Sequence, residues 1–557
     1  MLLFSFALCL FQHLSLGAAI SLPLSQSFFH AGSTNNTISW EKCGEISGRV
    51  FECGRLSVPL DYGNPLVGEA SLSILRLLAD KDTRRGSLFT NPGGPGVSGT
   101  GDYQRERSLD MMEESGGEYD IVSWDIRGVN DTTPQVSCFD SQESADDFWA
   151  GSLWYKGVET NSSLRSSFDQ HQFYSHVDAE DTRLRALWKR CEERSGNFLP
   201  FVGTAANARD VARMSDAIDG SGSEINYWGF SYGSVLGQYI IALFPERLGR
   251  VIIDGVVYAP IWGAEPAVDM YNQLLTDTDS AYHGFAALCA QAGPDRCALA
   301  SNNSTADSIL EDIRVLIQTL YDPYGDLDES LARSSSIRLN IFMRLQVPRG
   351  TWPALARFLK SQQDLVNAHD GEEITLASLA VSEAYDALHN KETLERHTRV
   401  WPYDFYSNYW SIICSDGPDY DGTSTRDMFD TIVEACKLSD TFGPMWPTEG
   451  GWPCHHWKTR AVERVTHFSV KPKHPVLILS NEYDSVTSIA NAYKILENTF
   501  AKGDAGLGIR EGYGHCSYST KSSCLTHVIQ NYVRNWTLPE DTMKPCPVNE
   551  DLFPQAD

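Results

Sequence analysis

The stretch Ile225–Phe244 constrains the fold of this chain more than any other. A short apolar run (Ile225, Tyr227, Trp228) enters Gly229-Phe230-Ser231-Tyr232-Gly233, the single G-x-S-x-G of the sequence. Val235, Leu236, Tyr239, Ile240, Leu243 and Phe244 then recur at helical spacing and predict one apolar stripe on an amphipathic helix. Strand, tight turn and helix form the context of a nucleophile elbow, where a strained turn lifts a serine hydroxyl clear of the backbone. Side chains at Gly229 or Gly233 would collide in such a turn, and Gly237 lets the helix lie close to its strand. The plainer reading is a Gly-rich structural turn. The elbow reading makes further demands on the chain: a base, a group to orient it, and donors for an oxyanion.

A chain of 557 residues can form one large domain with insertions or two to three smaller ones. Its 42% hydrophobic and 11% aromatic content is that of a globular protein with a sizeable core. The net charge of −28 argues against nucleic acid or an anionic membrane surface as a partner. Residues 2–12 are apolar except Ser5 and Gln12, and Gly17-Ala18-Ala19 follow, so residues 1–19 read as a secretory signal peptide. No later run reaches the ~18 apolar residues of a transmembrane helix. Of 13 cysteines, Cys9 lies in that leader; the other twelve allow up to six disulfides. Spacing suggests Cys43–Cys53, Cys289–Cys297 and Cys516–Cys524. Sequons begin at Asn35, Asn130, Asn161, Asn302, Asn303 and Asn535, candidate glycosylation sites of a secreted chain.

Residues 20–36 read as a loose arm. Strands are predicted at Arg55–Leu60, Ala70–Leu78, Gly86–Thr90 and Tyr119–Trp124, with a helix over about 101–114 between the last two. That rhythm implies a mostly parallel sheet with crossover helices, an α/β fold. A polar stretch, 138–200, reads as an insertion on the sheet's rim, and a helix over about 205–218 precedes the elbow. The strand Arg250–Val257 closes the first part of the core, 20–260. Residues 261–400 change to helical patterns (265–275, 306–320, 351–368, 373–389) and read as an inserted cap. The sheet resumes in 401–557, with the buried strand Pro475–Ser480 and a last helix over about 523–535.

Two groups answer the demand for a base and its orienter, in the chain order Ser, Asp, His. Asp484 follows the strand that ends near Ser480, and His515 lies in Gly512-Tyr-Gly-His515-Cys516 before the final helix. The interval between them fits one helix and one short strand, which makes their loops neighbours. Asp254, also at a strand end, is the rival acid, although its surroundings favour a structural role. His455 and His456 are rival histidines, but they sit side by side, without metal-ligand spacing, and no H-e-x-x-H pattern occurs. The oxyanion donors are expected to be the N–H of Tyr232 and that of Gly94, in the turn after the third strand. That turn also spells Gly94-x-Gly96-x-x-Gly99, with Asp125 ending the next strand, a formal dinucleotide-binding fingerprint. Pro92 and Pro95 stiffen it and remove donors a pyrophosphate would use; the serine-hydrolase reading requires no organic cofactor and no metal.

The residues also resemble a known family, the secreted α/β-hydrolases of the tripeptidyl/prolyl aminopeptidase type with a tripeptidyl-aminopeptidase-like C-terminal region. The resemblance rests on Val58-Pro-Leu-Asp-Tyr62, Gly86-Ser-Leu-Phe-Thr-Asn-Pro-Gly-Gly-Pro-Gly96, Asp125-Ile-Arg-Gly128, Thr204-Ala-Ala-Asn-Ala-Arg-Asp210, Trp228–Gly233, Phe244-Pro-Glu-Arg247 and Asp254-Gly-Val-Val257. Later come Cys414-Ser-Asp416, Asp484-Ser-Val-Thr487 and Gly512–Cys516. It implies an α/β-hydrolase fold and the triad Ser231, Asp484 and His515, removing amino-terminal residues or short peptides. The chain departs from the family pattern at Val97, Asn130-Asp131, Asn481 and Ser488. A carboxylesterase or lactonase acting on small esters is the alternative, and a catalytically silent binding protein on the same scaffold a further one. An aminopeptidase needs a carboxylate for the substrate's ammonium group, for which the cap offers Glu372, Glu373 and Glu383.

Overall fold

The computed structural model describes residues 38–555, apart from 80–83, 162–163, 326, 328–330, 371–402, 449–450 and 541–543. The expected leader, Asn35, the helix over 373–389 and the three cap glutamates lie outside the described residues. The strands are β1 (Glu41–Ile46), β2 (Arg49–Pro59), β3 (Glu69–Leu77), β4 (Ser87–Asn91), β5 (Asp120–Trp124), β6 (Ile225–Phe230), β7 (Leu248–Asp254), β8 (Val476–Tyr483) and β9 (Ala505–Tyr513). They form one sheet in the order β1-β2-β3-β5-β4-β6-β7-β8-β9. Pairing is antiparallel from β1 through β3 to β5 and parallel from β5 through β4 to β9. Parallel neighbours need crossovers, and the helices Asp102–Glu114, Thr204–Ile218, Tyr232–Leu243 and Ile489–Asn498 supply them.

All six residues of β6 are buried, as expected for a strand covered on both faces. The pleat sends Tyr227 to one side with Phe89, Val251, Ile253 and Ile478. It sends Trp228 and Phe230 to the other, with Leu88, Ile252 and Leu477 under Met111, Leu525 and Ile529. The strand β1 escaped the sequence reading because Glu41, Lys42 and Gly44 carry no alternating pattern; the Cys43–Cys53 bridge and pairing with β2 hold it.

The rim insertion folds into the helices Gln142–Trp149, Leu153–Lys156, Ser167–Tyr174 and Val177–Ser195, with Cys138 bonded to Cys191. After β7 come the helices Tyr271–Ala292, Ala306–Thr319, Ser334–Leu345 and Pro348–Asp370. The helix expected at 265–275 therefore begins later and runs on to Ala292. Helices Phe405–Asp416 and Thr425–Leu438 precede the return of the sheet at β8. Among the described residues no helix is long and apolar enough to cross a membrane.

Five disulfides form among the described residues, including the expected Cys43–Cys53 and Cys289–Cys297. The expected Cys516–Cys524 bridge does not form. Cys524 faces the C-terminal segment, where Cys546 pairs beside Arg510 of β9, and bonds to Cys546 instead. Cys516 turns inward and, like Cys436, is a buried free thiol.

Three stretches of the family pattern converge on one buried ion pair. Arg127 Nε lies 2.7 Å from Asp210 Oδ2, with both side chains fully buried. The guanidinium also donates to the carbonyls of Pro59 (2.7 Å), Leu60 (2.5 Å) and Phe201 (3.0 Å), while Tyr62 donates to Asp210 at 2.8 Å. Removing one partner leaves the other charge buried and unpaired. Asp210→Ala is expected to cost about 3–5 kcal/mol, measured by urea unfolding.

Candidate active site

Ser231 sits between β6 and the helix Tyr232–Leu243 with φ 56° and ψ −120°, a backbone that side chains rarely adopt. The glycines around it are there for space. A Cβ on Gly229 would strike the Gly233 carbonyl and the Tyr227 ring, and one on Gly233 would come within 2.6 Å of the Asn91 carbonyl. A Cβ on Gly237 would reach 2.7 Å from Ile253 Cγ2, so the helix packs as closely on the sheet as expected. The Ser231 N–H donates to the Asp254 carbonyl at 2.9 Å, which ties the elbow to the end of β7.

The chain between Asp484 and His515 is one helix and one strand, and it brings the two together. His515 Nδ1 lies 3.0 Å from Asp484 Oδ1 and 3.1 Å from Oδ2. Asp484 also accepts from the N–H groups of Val486 (2.9 Å), Thr487 (2.8 Å) and Cys516 (2.9 Å), and from Thr487 Oγ1 (3.0 Å). Burial works to raise its pKa, but the imidazole and these donors outweigh it and hold the carboxyl below the ordinary range. His515 Nε2 lies 3.6 Å from Cys516 Sγ, and that thiol also lies against the backbone N–H of Ser231. Among the described residues no hydrogen bond joins Ser231 Oγ to His515; catalytic hydrogen bonds often tighten only around substrate.

Two departures from the family pattern acquire roles here. Asn481 Nδ2 donates at 2.6 Å to the carbonyls of both Gly514 and Cys516, pinning the histidine loop to β8. Ser488 caps the helix Ile489–Asn498 through the Ala490 N–H. The region after β7 touches the same loops: the His515 N–H donates to the Gln346 carbonyl (2.7 Å), and Thr278 Oγ1 to the Ser485 carbonyl (2.9 Å).

In the turn after β4, Gly93 lies on the elbow, where an added Cβ would come 2.7 Å from the Phe230 carbonyl and 2.9 Å from Ser231 Cβ. The Asn91 side chain takes the Gly93 N–H (3.0 Å). The N–H of Gly94 comes next. The Tyr232 N–H, in the first helical turn, has no acceptor within its helix.

The rival residues are occupied elsewhere. Asp254 accepts the Ser517 N–H (2.8 Å) and Oγ (2.5 Å), shaping the turn after His515, and burial raises its pKa. Asp125 accepts Ser98 Oγ (2.7 Å), Thr100 Oγ1 (2.8 Å) and Asn130 Nδ2 (2.9 Å), so it folds the Gly-rich turn back on β5 rather than facing a ribose. Asp181, which the sequence did not connect to His455 and His456, puts a potential ligand atom within 4.8 Å of theirs. These atoms already engage one another. Asp181 Oδ1 lies 2.8 Å from His456 Nε2 and 2.6 Å from Thr425 Oγ1, which meets His455 Nε2 at 2.8 Å. Arg185 pairs with Asp181 at 2.7 Å and supplies the positive charge a cation would bring. Of the sequon asparagines, Asn161, Asn302, Asn303 and Asn535 are exposed; Asn130 is exposed too, but its Nδ2 is committed to Asp125.

The sheet, its crossovers and the elbow define an α/β-hydrolase. Residues 439–546 match the family described as TAP-like protein. It is 31% identical over 253 residues to the tripeptidyl aminopeptidase of Streptomyces coelicolor, covering 44% of this chain and 42% of the relative. Against the serine protease Hip1 of Mycobacterium tuberculosis, identity is 30% over 297 residues, 51% of this chain and 50% of the relative. The carboxylesterase B of Mycobacterium tuberculosis is 27% identical over 263 residues, 46% of this chain and 45% of that one. The chain thus spans about half the length of the curated relatives it matches.

The lowered pKa of Asp484 has a definite sign in stability. A carboxyl held below its unfolded value, ~3.9, stabilises the fold fully above that value. The contribution disappears as the pH drops through the folded value. The stability difference between wild type and Asp484→Asn, measured by urea unfolding at a series of pH values, is expected to shrink as the pH is taken from 7 to below about 4.

Proposed function

We propose that this protein is a secreted serine hydrolase, an aminopeptidase releasing amino-terminal residues or short peptides through an acyl-enzyme. The observation that carries the reading is the Asp484–His515 pair at 3.0 Å, set beside the elbow that presents Ser231. With Nδ1–H donated to Asp484, Nε2 is the nitrogen left to act as base. It takes the Ser231 proton as the oxygen attacks a substrate carbonyl. The N–H groups of Tyr232 and Gly94 hold the oxyanion, and Asp484 stabilises the imidazolium, which then protonates the leaving amine. Water repeats the sequence to release the acyl group. No step calls on a metal or an organic cofactor.

Peptide substrates are favoured over esters by the tripeptidyl aminopeptidase and the serine protease among the relatives. The carboxylesterase relative favours small esters as the second reading. The disulfides support an oxidising compartment and hence secretion. Exposed Asn161, Asn302, Asn303 and Asn535 are the glycan sites this reading favours.

A fluorophosphonate probe is expected to label the wild-type protein and to leave folded Ser231→Ala unlabelled; labelling that survives the substitution refutes the mechanism. Asp484→Asn should lower kcat by about 10⁴-fold on a peptidyl-aminomethylcoumarin substrate. Turnover of p-nitrophenyl esters without any peptide cleavage would select the esterase reading.

A further inference from the structure

The two N–H groups assigned to the oxyanion belong to separate segments, yet one helix braces both. At its first turn, Phe405–Asp416 lies against the Gly-rich turn. A Cβ on Gly96 would come 3.1 Å from the Phe405 carbonyl and 3.4 Å from Asn408 Cβ. At its last residue, the fully buried Asp416 carboxylate accepts the Thr204 N–H (3.0 Å), Thr204 Oγ1 (2.5 Å) and Trp262 Nε1 (2.9 Å). Thr204 Oγ1 also lies 2.8 Å from the hydroxyl of Tyr232, the residue that follows the nucleophile. The Trp262 ring packs on the Tyr232 ring at 5.3 Å. Gly203 makes the approach possible, since a Cβ there would come 2.8 Å from Asp416 Oδ1.

The chemistry of this chain has a direction. An ionised carboxylate only accepts, so the Thr204 O–H points at Asp416, and Thr204 Oγ1 is left to accept from the Tyr232 O–H. The Tyr232 side chain is thereby held at its far end as well as at its backbone. Asp416 forms no ion pair among the described residues, and burial pushes its pKa up to about 6. Burial outweighs its hydrogen bonds and the nearby Arg464 charge, so this carboxylate is costly to keep.

We propose that Asp416 is a positioning residue for acyl transfer. Through Thr204 it fixes Tyr232, and with it the N–H after the nucleophile, while the other end of its helix holds the Gly94–Gly96 wall of the oxyanion site. The proposal rests on the serine-hydrolase reading above.

The test measures the rate of fluorophosphonate labelling and the turnover of a peptidyl-aminomethylcoumarin substrate in the full chain. Asp416→Asn, Thr204→Val and Tyr232→Phe are each expected to slow labelling and lower kcat by about 10- to 100-fold, with KM within about twofold. Thr204→Ser, which keeps the hydroxyl, should restore both rates. The double variant Asp416→Asn/Tyr232→Phe should be no slower than the worse single one, because both break the same chain. If Asp416→Asn does not fold, as judged by circular dichroism, Thr204→Val and Tyr232→Phe decide the matter. Folded variants that react like wild type, a loss confined to KM, or losses that multiply in the double variant would each overturn the proposal. Failure of the wild-type protein itself to label would instead overturn the serine-hydrolase reading, and this proposal with it.

Discussion

A serine at φ 56° and ψ −120° keeps that backbone only if its surroundings leave it no alternative. The strain, on the order of 1–3 kcal/mol, is met from three sides. From below, β6 is buried on both faces and paired with β4 and β7. From one side, the Asp254 carbonyl takes the Ser231 N–H; from the other, Asn91 and Gly93 close on the turn. Each contact needs a residue without a side chain at one point, which is why Gly93, Gly229 and Gly233 surround a single serine. The rest of the sheet supplies the rigidity, and the loops at its rim supply the chemistry.

Buried carboxylates at that rim are sorted by what faces them. Asp254 meets the serine after the histidine loop, and burial dominates, so its pKa rises. Asp416 meets a threonine and an indole, and its pKa rises to about 6. Asp484 alone meets an imidazole besides several backbone N–H groups, and its pKa falls. The last of these settings is the one that keeps a buried carboxylate ionised. Desolvation is common to all three, so the partner decides the direction.

The crossover rhythm, the elbow and the two loops of Asp484 and His515 were legible because each depends on local pattern: apolar runs, glycines and the order of the elements. Asp254 and Asp125 were also legible as strand-end residues, although only the structure shows which donors they satisfy. What sequence could not supply is partnership over long intervals. Cys524 pairs with Cys546 rather than with the Cys516 nearer in sequence, whose thiol points inward beside the imidazole. Asp181 joins His455 and His456 from another segment, and Asp416 reaches Thr204 and Trp262 across the fold. Counting nearest cysteines or nearest acids fails whenever packing, not spacing, chooses the partner.

The region inserted after β7 fastens unevenly on the site. Gln346 holds the His515 N–H, Thr278 holds the Ser485 carbonyl, and Asp277 accepts the Ile489 N–H at 3.2 Å, all on or beside the loops of Asp484 and His515. Ser231, by contrast, is fixed by β6, β7 and the turn after β4, which belong to the sheet. His515 and Ser231 therefore stand on different supports. Asp484 and His515 are thus held by the inserted region and by each other, whereas Ser231 is held by the sheet.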